Sequence, residues 1–185
     1  MLAYLLDLAP ARITPQELAV QRGYSAMTMT RVADELDQAG LIESERVGRN
    51  RWLTFPADRK AAWLQALALL ESPVQSRVWV KGARPLQLPR AGQAALAAVT
   101  DLAGPPVPCL AVGPTAWRDL KKSDAVRVVH EDEAEAQLEL WHYDPVPLMT
   151  SGDVDLLSLY LSLRTVDDDR VSMALDQLMD GLHWS

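Results

Sequence analysis

The chain has 185 residues, 49% hydrophobic and 23% charged, the composition of an ordinary globular protein. A chain this long hides roughly 70% of the surface its unfolded form exposes, so its fold calls for neither a metal nor a disulfide staple. The formal net charge of −7 argues against nucleic acid as a partner only on average. Residues 1–77 carry nine Lys/Arg and nine Asp/Glu, whereas residues 78–185 carry nine and sixteen. The stretch 46–90 holds nine basic residues against only Asp58 and Glu71, and such local fields decide what a surface attracts.

No apolar run approaches the ~18–20 residues needed to cross a bilayer. Residues 1–8 contain Asp7 and are followed by no basic residue before Arg12 and no small-residue cleavage site, so no secretory leader and no membrane partner are expected. The single Cys109 closes no intrachain disulfide and builds no thiolate cluster, and a cytoplasmic location is expected.

The first segment reads as helices. Leu2, Leu5 and Leu6 have helical spacing and Pro10 closes that helix. In Thr14-Pro15-Gln16-Glu17 the Thr caps a second helix, Pro suits its first position and Glu completes a capping box; Gly23 stops it. Ser25 caps a third helix over 26–39, whose Met29, Val32, Ala33 and Leu36 form one buried stripe, with Gly40 beyond its end. Two short strands, 41–45 and 51–55, then flank Arg46-Val47-Gly48-Arg49-Asn50 as a hairpin. A helix over 57–71 follows, with Trp63, Leu64, Leu67 and Leu70 inward, and Ser72-Pro73 marks a boundary between domains 1–73 and 74–185.

The second domain reads as mixed α/β. Strands are expected around 78–80, 107–112, 126–130 and 137–143, and helices over 92–102, 116–121, 155–163 and 168–182. The six apolar residues Leu156, Leu157, Leu159, Tyr160, Leu161 and Leu163 exceed one helix face, so that helix is either buried on most sides or forms a subunit contact that makes a homodimer.

Three helices and a hairpin are the layout of a winged helix-turn-helix, in which one helix enters the major groove, the preceding helix braces it and the hairpin brings cations to adjacent phosphates. Residues 2–55, through Thr14-Pro15-Gln16-Glu17-Leu18-Ala19, the run from Ser25 to Arg31, Ala39-Gly40-Leu41-Ile42 and the arginine-bearing wing, resemble the MarR-like winged-helix transcription regulators. The resemblance implies a module for double-stranded DNA. The chain as a whole reads as α+β, with this winged helix followed by a mixed α/β C-terminal domain that dimerises, senses or binds a partner. Carried over by position, Ser25 and Thr28 make phosphate or helix-start contacts, and Met27, Thr30 and Arg31 face the groove. Arg31 is the candidate base reader, because Arg grips guanine with two hydrogen bonds. Arg49 stands at the wing tip with Arg46 and Arg51 beside it. The chain departs from the family in beginning too late for its usual dimerisation helix and in carrying one Arg on the reading helix, with Asp34 and Glu35 close behind.

A second resemblance covers Asp144-Pro145 to Leu148, the Val154–Leu163 run, Asp169-Arg170-Val171 and Trp184. It is to the antitoxin-type regulators of abortive-infection (type IV) toxin–antitoxin pairs. It implies a repressor of its own operon whose partner is a nucleotidyltransferase toxin. The alternative is a protein-interaction module, antitoxin or scaffold, whose winged helix binds no DNA. Arg77, Lys81, Arg84 and Arg90 either extend the DNA contact or belong to a solvated linker and edge strand.

No enzyme, cofactor or metal is expected. His130, His142 and His183 lack ligand spacing, and Cys109 reads as a buried inert thiol. In Ser151-Gly152-Asp153-Val154-Asp155, Asp153 reads as a helix cap rather than a nucleotidyl-transfer acid. Asp167, Asp168 and Asp169 suit a helix start, where the dipole favours negative charge.

Overall fold

The computed structural model describes residues 1–82 and 87–184, which form eight α-helices and two sheets. The chain divides into two units, Met1–Leu70 joined by the C-terminal His183 and Trp184, and Glu71–Leu182. The division falls within three residues of the expected break at Pro73, but the return of the C-terminal tail to the first unit has no signal in the sequence.

The first unit runs α1 (Leu2–Leu5), β1 (Arg12–Ile13), α2 (Pro15–Arg22), α3 (Ala26–Gln38), β2 (Glu43–Val47), β3 (Asn50–Thr54) and α4 (Arg59–Leu67). Its antiparallel sheet has the order β1-β3-β2. The two residues of β1 were not expected. Arg12 pairs with Thr54 and Ile13 with Leu53, which ties the root of the hairpin to the segment just before α2. Ile13, Leu53, Leu41, Ile42, Ala33 and Trp63 are buried. Tyr4 stacks on Phe55 with centroids 4.5 Å apart and donates its hydroxyl to the Pro56 carbonyl. Trp184 lies 6.3 Å from Trp63.

Two expectations in this unit are corrected. α1 stops at its Leu6 cap, before Pro10, because Asp7 turns into the left-handed region at φ 60°. α4 covers Arg59–Leu67 rather than 57–71, and its inner side is Ala62, Trp63 and Ala66. Leu64 is 60% exposed, because at about 100° per residue it lies some 200° round the helix from Ala62.

The second unit runs β4 (Val74–Lys81), α5 (Gly92–Leu96), β5 (Cys109–Val112), α6 (Pro114–Lys122), β6 (Arg127–Val128), β7 (Ala136–Trp141), α7 (Leu156–Leu163) and α8 (Asp169–Asp180). The sheet order is β5-β7-β4-β6, with β5 parallel to β7 and the other pairings antiparallel. Both faces of β7 are covered. Ala136 and Leu138 join Val80, Val112 and Val126 in a cluster against Trp117 and Leu120 of α6. On the other face Trp141, Cys109 and Ala111 join Ala95 and Leu96 of α5, Leu159 and Leu163 of α7, and Val171, Leu175 and Leu178 of α8. Each such Leu or Val contributes roughly 1.5–3 kcal/mol on burial.

α7 resolves the alternatives posed for it in favour of burial: Leu157, Ser158, Leu159, Leu161, Ser162 and Leu163 are all buried. Its cap is Asp155, whose carboxylate accepts from the Ser158 amide at 2.8 Å, and not Asp153 as expected. Asp168 caps α8, in line with the dipole argument. α5 ends at Leu96 instead of 102; Thr100 Oγ1 donates to the Leu96 carbonyl at 2.7 Å beyond its end. No helix among the described residues is long and apolar enough to cross a membrane.

Candidate nucleic-acid interface

α2 and α3 are joined by the three residues Gly23, Tyr24 and Ser25. Each end of this corner is fixed by local chemistry. Thr14 Oγ1 accepts from the Glu17 amide at 3.2 Å, and a Glu17 carboxylate oxygen accepts from the Thr14 amide at 2.9 Å. The Thr14 amide and the Thr14 hydroxyl, both donating to this carboxylate at 2.9 Å, hold the Glu17 carboxyl below its usual range. Gly23 ends α2 at φ 69°, a conformation that costs glycine little. The next helix starts at once, because Ser25 Oγ accepts from the Thr28 amide at 3.0 Å.

α3 buries Met29 and Ala33, with Val32 and Leu36 half-covered, so the opposite side is turned to solvent. Met27 is 77% exposed, and Thr30 and Arg31 are exposed beside it. The small hydroxyls are already engaged. Ser25 and Thr28 lie 2.8 Å apart at the helix start, and Thr30 Oγ1 donates to the Ala26 carbonyl at 2.9 Å. Of the two roles expected for Ser25 and Thr28, the helix-start role is the one the geometry shows.

The hairpin closes through a two-residue turn, Gly48 and Arg49, with Gly48 at φ 65°. Glycine at the first central position with positive φ is the type II′ pattern, whose twist suits paired strands. Ser44, Arg46, Arg51 and Leu53 share one face, since Arg46 stands opposite Arg51 and Ser44 opposite Leu53. On the other face Arg12 forms an ion pair with Glu45 and lies 4.9 Å over the Trp52 ring.

Arg51 differs from the expectation of a phosphate contact. It forms ion pairs with Asp34 and, at 3.1 Å, with Asp37 of α3, and it donates to Ser44 Oγ at 3.2 Å. Its side chain is only 21% exposed. The contact engages two of the three acids that follow Arg31 on α3, Asp34 and Asp37 but not Glu35, and the sequence offers no signal for it because the partners are 14 and 17 residues away. It also connects the two candidate surfaces. Arg31 is one turn from Asp34 on the same side of α3, Asp34 holds Arg51, and Arg51 stands across from Arg46. Arg31, Arg46 and Arg49 are exposed and have no carboxylate partner among the described residues; Lys60, on α4, shares that state and was not anticipated.

Of the four cations expected from the second unit, Arg77 and Arg90 are engaged by carboxylates. Arg77 donates to the buried Glu139 through Nε at 3.1 Å and Nη2 at 2.9 Å. Arg90 clasps Asp153 with bonds of 2.6 and 2.8 Å. Lys81 is exposed at the end of β4, and Arg84 lies outside the described residues. The remaining candidates are equally plain. Among the described residues no group of three His, Cys, Asp or Glu is placed to hold a metal. Cys109 is buried, and desolvation together with the Glu139 charge pushes its thiol well above the ordinary range.

No protein-family model, curated protein or solved structure matches this chain. The geometry above therefore stands alone.

Proposed function

We propose that the first unit is a winged helix-turn-helix that binds double-stranded DNA, and that the protein is a sequence-specific transcriptional regulator of the repressor type. The observation that carries this reading is the set of unpaired arginines, Arg31, Arg46 and Arg49, on an exposed helix flank and an adjoining hairpin that Arg51 ties together. A helix about 12 Å across fits the major groove and reads bases from its N-terminal half. That half here carries Met27, Thr30 and Arg31, while the acids come later and two of them are held by Arg51. The hairpin tip, with Arg46 and Arg49, contacts phosphates or the neighbouring minor groove. The second unit, with ten Lys/Arg against seventeen Asp/Glu over residues 71–182, repels phosphate and leaves the duplex to the first.

The resemblance of the C-terminal segment adds that the protein represses its own operon as the antitoxin of a type IV pair, with a nucleotidyltransferase as partner. The test is a titration of labelled duplex from upstream of its own gene, with co-purification of the product of any adjacent nucleotidyltransferase gene. Binding that favours the upstream duplex over random duplex is expected. Absence of any shift at low salt refutes the DNA reading. It leaves the protein-interaction alternative.

A further inference from the structure

The helices on one face of the second unit's sheet leave a cavity of about 390 Å³ over β4, β7 and β5, within the range of small-ligand sites. Its floor is the Arg77–Glu139 pair, in which the carboxylate is buried and the guanidinium is 41% exposed. Glu139, 1% exposed, receives Arg77 on Oε1 and the Trp141 indole N–H on Oε2 at 3.1 Å. The floor is thus electrically balanced and its carboxylate oriented. Pro105, Pro106, Val107, Leu163 and Val166 give an apolar wall, and Gln93 and Gln137 offer amide oxygens. Trp79 adds an aromatic surface, and Glu131 stands at the mouth on a turn of three consecutive acids.

The charge of this lining selects among ligands. With Arg77 engaged by Glu139, Glu131 is left as the uncompensated charge, in a unit already rich in acid. An anion entering here meets two carboxylates, Glu131 and Glu139, against the single guanidinium of Arg77, which Glu139 already holds. A cation meets a carboxylate, an indole and amide groups in the lining, the kinds of group that recognise ammonium elsewhere in chemistry. We propose that this cavity binds a small organic cation with an apolar body, of the arylalkylammonium class: the ring against Val107, Leu163 and Val166, the ammonium between Trp79 and Glu131. This site is independent of the DNA reading of the first unit, and each fails or stands by its own titration.

The full-length protein is titrated by calorimetry with phenethylammonium, phenethyl alcohol and hydrocinnamate, which share a ring and differ in charge. Saturable binding of the cation is expected, about tenfold tighter than the anion and tighter than the alcohol. Glu131→Gln, a change on an exposed turn, is expected to weaken the cation about threefold and leave the alcohol unchanged. Trp79→Leu is expected to weaken the cation by about threefold as well, once circular dichroism shows the fold intact; should that variant not fold, Glu131→Gln decides alone. Equal affinity for alcohol and ammonium, no loss in Glu131→Gln, or no saturable cation binding in the millimolar range overturns the proposal.

Discussion

Arg49→Ala probes the proposed interface where it is least entangled with the fold. Arg49 sits in a two-residue turn, exposed and without a carboxylate partner among the described residues, so its loss should change stability by no more than about 0.5 kcal/mol. A guanidinium that neutralises one phosphate contributes about −0.9 to the slope of log K against log salt. With Arg46 as the second contact, the hairpin's share is about −1.8, of which half should survive the substitution. Taking 1 M salt as the point where this contribution vanishes, the variant binds about eightfold more weakly at 0.1 M and about fifteenfold more weakly at 0.05 M. Fluorescence anisotropy of a labelled duplex, titrated across that salt range with wild type and variant, measures both the offset and the change in slope. Two lines of equal slope would refute the wing contact, whether or not they were displaced, because displacement without a slope change means a lost contact that released no counterion.

Arg31→Ala should lower affinity for the preferred duplex by roughly 1–3 kcal/mol while leaving random duplex nearly untouched, as read by competition with unlabelled DNA. Arg51→Ala should cost only about 1 kcal/mol of stability, since Asp34 and Asp37 are 51% and 38% exposed, and should also weaken DNA binding by baring both carboxylates. Adding Asp34→Asn and Asp37→Asn should restore part of that binding in the same anisotropy assay. Arg77→Met should destabilise the second unit by about 2 kcal/mol because it strands Glu139 in the interior, whereas the double change with Glu139→Gln, which removes the charge and keeps an acceptor for the Trp141 indole N–H, should recover most of that loss in urea unfolding. Asp155 is buried, one of its oxygens has no hydrogen-bond partner, and desolvation raises its pKa above the ordinary 3.8. The folded state therefore holds its proton more tightly than the unfolded chain, and stability falls as pH rises above that value. Asp155→Asn, which keeps the cap, should stabilise the protein at neutral pH and lose its advantage near pH 4, as followed by thermal unfolding at both pH values.

What could be read from residues alone was whatever rests on short-range chemistry. The Thr14 capping box, the Ser25 and Asp168 caps, the left-handed Gly23 and Gly40 and the Gly48 turn all depend on neighbours within four residues. The exposed side of α3 followed from the position of Met29 and Ala33. Some local readings also missed, such as the α7 cap, which is Asp155 and not Asp153, but the failures that change the candidate site are long-range. β1 exists only because Ile13 meets Leu53, and two residues have no periodicity to detect. Glu139 reads as part of an alternating strand, yet β7 lies between β4 and β5 with both faces covered, so its carboxylate is buried and draws in Arg77 from 62 residues away. Arg51, Arg77 and Arg90 all read as available cations, and each meets a carboxylate that folding delivers. Charge counting along a chain finds where cations are dense, but not which of them have been neutralised.

Because Arg51 bridges β3 to Asp34 and Asp37, swinging the hairpin away from α3 costs about the 1 kcal/mol of that contact. Its tip and the exposed flank of the helix are thereby biased toward one separation, like the jaws of a caliper under a light spring. Under the DNA reading proposed for the first unit, a suitable operator offers its groove contact and its flanking contact near that spacing, and inserting a single base pair between them should be tolerated less well than a base change within either.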